Sequence, residues 1–389
     1  MSFTPGYDKT ESQEMMTLSS IAYAGEITND YRLIRQAIVR ELGEAKVLGG
    51  NFRLVWLGIS PDWANLMYVA RDRRETARYA VVVRGTDWRF LADLSEDFCV
   101  LEKHGWPTAS PPNPSIYVAQ GAWDGLQALL ATKSDVFNMN PPAIEMPTSM
   151  EMFFLAEALG STYDTDLDIF VTGHSLGGAM ATVVGLWLAE AASKWVLRPN
   201  KVNFKTYTFA SPTVGNQDFA TYYNGQTANR QVGWQAYRVY NEQDAVPFAY
   251  ADLSNLPENG IPLELFFGLE LVGAIGLIET ALSDARVSYV QVEKTSDGTA
   301  VGLSNNPPSS KCLPKCNNPA ANWTDYACWV GYEHLTNTYL FLLGALPVDI
   351  PQRAIDTASI AAMPVTAAGA AATVPVPPPS DEAPISQNQ

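Results

Sequence analysis

The chain has 389 residues, with 25 Lys and Arg against 41 Asp and Glu, which gives a formal net charge of -16 at pH 7. That balance excludes nucleic-acid binding, whose affinity comes from cations that neutralise phosphates, and it opposes recruitment to anionic lipid by charge alone. Hydrophobic residues at 47% and charged residues at 17% describe a globular chain with a large core, not a disordered one.

The first residues, MSFTPGYDKTESQEMM, hold neither a basic region nor an apolar run. No standard signal peptide is read there, which points to the cytoplasm or to a leaderless route of secretion. Asp8 with Glu11 three residues later predicts a helix start, and Met15, Leu18, Ile21 and Ala22 form an apolar stripe behind it. Strand-like runs are expected at 52–59, 65–70 and 78–84. Beyond about residue 120, runs at 168–172, 205–210, 235–240 and 287–293 alternate with helical patterns. Such alternation means a mostly parallel sheet flanked by helices.

The stretch 138–148 reads as a surface insertion. Residues 261–282 are apolar enough to suggest a membrane span but contain Glu264, Glu270 and Glu279. Ionisable groups are costly in a bilayer, so a buried helix or an apolar insert near a lipid-binding site is the better reading. From 351 the sequence turns to Ala, Pro, Thr and Val without periodicity, so the expected organisation is one domain over 1–350 and a disordered tail over 351–389. Of Cys99, Cys312, Cys316 and Cys328 the last three cluster, and a zinc reading of those three lacks a convincing fourth ligand. A bridge from Cys328 to Cys312 or Cys316 and four free thiols both remain open.

The string VTGHSLGGAMATVVG, 171–185, places Gly173-x-Ser175-x-Gly177 between a strand and a helix. A nucleophile on so sharp a turn needs small neighbours two residues away on either side, and the helix start aims amides at developing negative charge. A serine needs a base. His174 adjoins it on the turn and is expected to diverge, and His104 precedes it, whereas this architecture runs Ser, then acid, then His. His334 is left. Asp244 ends the run QAYRVY just before Val246-Pro247, where a sheet delivers catalytic groups; Asp218, Asp252, Asp284, Asp297, Asp325 and Glu242 compete by position alone. The oxyanion donors are expected to be the amide of Leu176 and a group from the strand end at Gly85-Thr86.

The set RGTDW, GHSLGG, FASPTVGN (209–216), NEQDAVP (241–247) and the late His334 resembles the class 3 lipases, the fungal-type triacylglycerol lipase family. The resemblance runs over roughly residues 10–345. It implies an α/β-hydrolase fold with a short lid, here 88–94, whose apolar face would be Trp88, Phe90 and Leu91. It also implies Ser175, Asp244 and His334 as a catalytic triad, Thr86 and Leu176 as oxyanion donors, and no metal or organic cofactor. The family's Val-His-x-Gly-Phe element stands here as VAQGAW (118–123), without the histidine. The expected function is a serine carboxylester hydrolase acting on neutral lipids, with phospholipase or short-chain esterase activity, in one form as a leaderless effector, as the neighbouring alternative. A non-catalytic lipid-binding protein on the same fold is the rival from another class. The expected partner is an acyl-ester lipid met transiently at an interface, without a transmembrane segment; the oligomeric state is open.

Overall fold

The computed structural model describes residues 6–26, 28–75, 77–85, 99–107, 113–134, 148–160, 166–192, 202–225, 232–251, 280–292, 300–303 and 331–348. Asp8 caps the first helix, α1 (Lys9–Ile21), by accepting from the amide of Glu11, as its spacing predicts. Asp30 does the same for α2 (Tyr31–Glu44), where it accepts from Arg32 and Leu33. Three strands follow: β1 (Phe52–Ile59), β2 (Leu66–Asp72) and β3 (Arg78–Val83). A small hairpin, β4 (Lys103–Gly105) with β5 (Tyr117–Ala119), leads into α3 (Gln120–Ala131) and α4 (Met150–Gly160). The chain then alternates through β6 (Leu167–His174), α5 (Leu176–Ala192), β7 (Val202–Phe209), α6 (Gln217–Asn224) and β8 (Val232–Asn241). The last described elements are β9 (Ala300–Leu303) and α7 (Thr336–Leu343).

The main sheet has seven strands in the order β1-β2-β3-β6-β7-β8-β9. The first three pair antiparallel, and every pairing from β3 to β9 is parallel. A parallel strand covered on both sides should read as a continuous apolar run. β3 does: all six of its residues are buried. Val81 and Val83 face the layer of α3, α4 and α5, and Ala80 and Val82 face the layer of α1, α2 and α7. α1 is buried through most of its circumference, so its polar residues need partners. Glu14 reaches Arg74 at 2.8 Å and Arg78 at 3.1 Å, and both arginines also meet Asp72.

One expected strand is corrected. Residues 287–292 form no ladder, although Val287 and Tyr289 alternate into the core. Their polar groups are used elsewhere: Val290 N–H donates to Gly215 O, Ser288 N–H to the Tyr117 hydroxyl, and the Tyr289 hydroxyl to Val100 O. The strand beside β8 is β9 instead. Residues 261–279, the tail beyond 348, and Cys312, Cys316 and Cys328 lie outside the described residues, and Cys99 is exposed. No helix among the described residues is long and apolar enough to cross a membrane.

Candidate active site

Ser175 sits between the end of β6 and the start of α5, with φ at 60°. A non-glycine residue in the left-handed region is strained, and the surrounding structure has to hold it there. Its amide donates to Phe209 O at 2.9 Å, and its carbonyl accepts from Gly178 N–H at 2.8 Å. The glycines around it leave no room for side chains. A Cβ on Gly173 would lie 2.0 Å from Gly177 O, and one on Gly177 would lie 2.4 Å from Val83 O. That closeness brings the chain just beyond β3, at Gly85, against the first turn of α5.

Asp244 follows β8, three residues beyond its last residue, and its side chain is fully buried. The carboxylate takes three donors. Oδ1 accepts from Val246 N–H at 3.0 Å, and Oδ2 accepts from the Tyr339 hydroxyl and lies against His334 Nδ1, both at 2.8 Å. Arg238 steadies the following turn by donating to Pro247 O at 2.8 Å. His334 lies just ahead of α7, 4% exposed, and its Nε2 is 2.8 Å from Ser175 Oγ. With Asp244 holding a proton on Nδ1, Nε2 is the acceptor nitrogen that faces the serine.

The two other histidines do not join this chain of hydrogen bonds. His104 stacks on Trp123 with ring centroids 4.2 Å apart. His174 does not turn away into solvent: its Nδ1 meets the Tyr23 hydroxyl at 2.9 Å, and its ring lies 4.8 Å from that of His334. Burial first, and then the neighbouring His334, push its pKa well below the usual imidazole range, so it stays neutral. Leu176 opens α5, and a helix's first amides have no intrahelical acceptor, so its N–H is available. Thr86, Trp88, Phe90 and Leu91 lie outside the described residues.

Sequence reasoning missed Tyr23, Asn241, Glu333 and Tyr339. The signal for Asn241 was present, since it opens NEQDAVP, three residues before Asp244. Tyr23, Glu333 and Tyr339 carry no local signal, and only the fold brings them to the site.

A serine on a strained strand-to-helix turn, at the carboxyl ends of a mostly parallel sheet with helices on both faces, defines the α/β-hydrolase fold. The comparisons with known proteins carry the resemblance further. The family model "Lipase (class 3)" matches residues 81–253, so the resemblance read from RGTDW, GHSLGG, FASPTVGN and NEQDAVP is borne out there; His334 lies beyond the matched segment. Phospholipase A1-Igamma1, chloroplastic, of Arabidopsis thaliana is 26% identical over 48% of this chain and 35% of its own length. Secreted mono- and diacylglycerol lipase 1 of Fusarium solani is 37% identical over 24% of this chain and 23% of its own. The chain thus spans about a third or less of these curated relatives. The crystal structure of M37 lipase matches with a TM-score of 0.61 at 23% identity, covering 87% of this chain and 93% of that one, which is a likeness of fold.

Proposed function

We propose that the chain is a serine hydrolase that cleaves carboxylic esters of acyl lipids. The observation that carries this reading is the unbroken sequence Ser175 Oγ–His334 Nε2 and His334 Nδ1–Asp244 Oδ2, each step 2.8 Å long. His334 Nε2 takes the proton of Ser175 as Oγ attacks the ester carbonyl, and Asp244 stabilises the imidazolium that forms. The oxyanion is held by the Leu176 amide and by Thr86. The imidazolium returns its proton to the departing alcohol, which leaves an acyl-enzyme. Water, deprotonated by His334, then releases the fatty acid and restores Ser175.

Glycerolipids are the substrate class we favour, because the class 3 lipase match and both named relatives concern acyl lipids. Neutral lipids should be preferred to acidic ones, since a chain of net charge -16 is repelled by an anionic surface. Trp88, Phe90 and Leu91 are proposed as the lid that meets the lipid. The test combines two measurements. A fluorophosphonate probe should label the wild type and not Ser175→Ala. A panel of short and long p-nitrophenyl esters, triacylglycerol emulsion and neutral and acidic phospholipid vesicles should then give a substrate order. Wild-type protein that is neither labelled nor active on any ester sinks the proposal; activity confined to dissolved short esters makes the protein an esterase.

A further inference from the structure

We propose that Asn241 and Glu333 are positioning residues, a buried polar tie that fixes His334 against Asp244. The inference rests on the hydrolase reading above. Asp244 and His334 are 90 positions apart in the chain, so their alignment must come from contacts outside the pair. Asn241 is the last residue of β8, anchored in the sheet between β7 and β9. Glu333 directly precedes His334. Both are buried, at 0% and 1% exposure, where an unmet polar atom is costly.

Asn241 makes no idle contact. Its Nδ2 donates to Glu333 Oε2 at 2.7 Å and to Glu333 O at 3.0 Å. Its Oδ1 accepts from Gln243 N–H at 3.0 Å, its backbone N–H donates to the Tyr339 hydroxyl at 3.0 Å, and its carbonyl accepts from Asp244 N–H at 3.0 Å. Two acceptors on one side and a donor on the other leave only one orientation for the amide. One side chain therefore grips the residue before the base, while its own backbone grips the acid. Neither Asn241 nor Glu333 touches the reacting atoms. Their effect is exerted through the orientation of His334, and an error of about 1 Å in such geometry costs on the order of a hundredfold in rate.

The alternative is that this tie only stabilises the fold. Steady-state kinetics on p-nitrophenyl butyrate, melting temperature, and the downfield proton resonance of an imidazole N–H held by a carboxylate separate the two. Asn241→Ala and Glu333→Ala should lower kcat by about ten- to a hundredfold with KM unchanged, and should move or broaden that resonance, in protein that is still folded at the assay temperature. Glu333→Gln keeps an acceptor for the Asn241 amide and should retain most of kcat. Asn241→Asp sets a carboxylate against Glu333 and should be worse than Asn241→Ala. Folded alanine variants with wild-type kcat and an unmoved resonance overturn the inference, as does a loss confined to KM. Should Asn241→Ala not fold, the Glu333 pair decides alone by the same criteria. If the wild type hydrolyses no ester, the hydrolase reading fails on its own, and the resonance in the variants still tests the tie.

Discussion

The hydroxyl of Tyr339 donates to Oδ2 of Asp244 at 2.8 Å, the same oxygen that faces His334 Nδ1. The direction of that bond is fixed, because the Tyr339 oxygen already accepts from Asn241 N–H and its proton has only the carboxylate to go to. Burial first, and then the charge of Asp244, push the phenol well above its usual pKa, so it stays protonated and remains a donor. Tyr339→Phe removes that donor and strands a buried backbone N–H. We expect a loss of about 1–3 kcal/mol in stability and a fall in kcat of about tenfold with little change in KM. Denaturant unfolding and steady-state kinetics measure the two; an unchanged kcat would remove Tyr339 from the catalytic arrangement.

The glycines of the serine turn differ sharply from glycines elsewhere. A methyl group on Gly173 would sit 2.0 Å from the carbonyl oxygen of Gly177, a backbone atom that cannot rotate away. Around Gly43, inside α2, nothing lies within 4 Å of where such a methyl group would sit. Gly173→Ala should therefore cost more than about 2 kcal/mol and abolish activity through a distorted turn. Gly43→Ala should stabilise by about 0.5–1 kcal/mol by favouring the helix. Thermal melting of both variants against wild type checks the contrast, and equal effects would contradict it.

How far the sequence could be read depended on whether a feature was local. The turn at Ser175 was legible because strand, small residues and helix follow one another within 167–192, and His334 because only three histidines compete. The apolar alternation at 287–293 misled, since side-chain burial produces the same pattern whether or not the backbone pairs with a neighbouring strand. Tyr23 and Glu333 were invisible for a different reason: their partners lie 151 and 92 positions away. Lys205 opens the expected run 205–210, but nothing local shows that its side chain is buried in the middle of a longer strand.

Asp168, near the start of β6, has its pKa pushed up to about 6. Burial is the main cause, with Asp166 and Glu75 adding to it against the opposing hydrogen bond from Asn203 and the charge of Arg78. A carboxyl raised in the folded state binds its proton more tightly there than in the unfolded chain, where it titrates near about 3.9. Its contribution to stability is complete below about pH 4 and is lost as pH rises through about 6. Asp168→Asn keeps an oxygen for the Asn203 amide, which donates at 2.7 Å, and removes the charge. Its melting temperature should exceed that of wild type by a few degrees at about pH 8, with the gap closing toward about pH 4. A gap that stays constant with pH would show that charge is not the cause.

Lys205 and Glu11 give the last test, because their burial is unequal. The Lys205 side chain is wholly buried in β7, ringed by Tyr207 and Tyr237 at 5.6 Å each, and its ammonium pairs with Glu11 Oε2 on α1. Glu11 keeps 17% exposure and also accepts from the Tyr207 hydroxyl at 3.0 Å. Removing the carboxylate takes the Glu11 charge away from a desolvated ammonium, whereas removing the ammonium leaves a partly exposed carboxylate that still accepts from the Tyr207 phenol. Breaking a buried pair from the side that strands the deeper charge costs about 3–5 kcal/mol, while an apolar replacement of a buried ion is often close to neutral. Glu11→Ala should therefore destabilise by about 3 kcal/mol, and Lys205→Met by clearly less despite being the more buried substitution. Denaturant midpoints of the two variants decide it: if Lys205→Met proves the costlier, the ion pair holds α1 to the sheet by more than packing, and the asymmetry argued from burial is wrong.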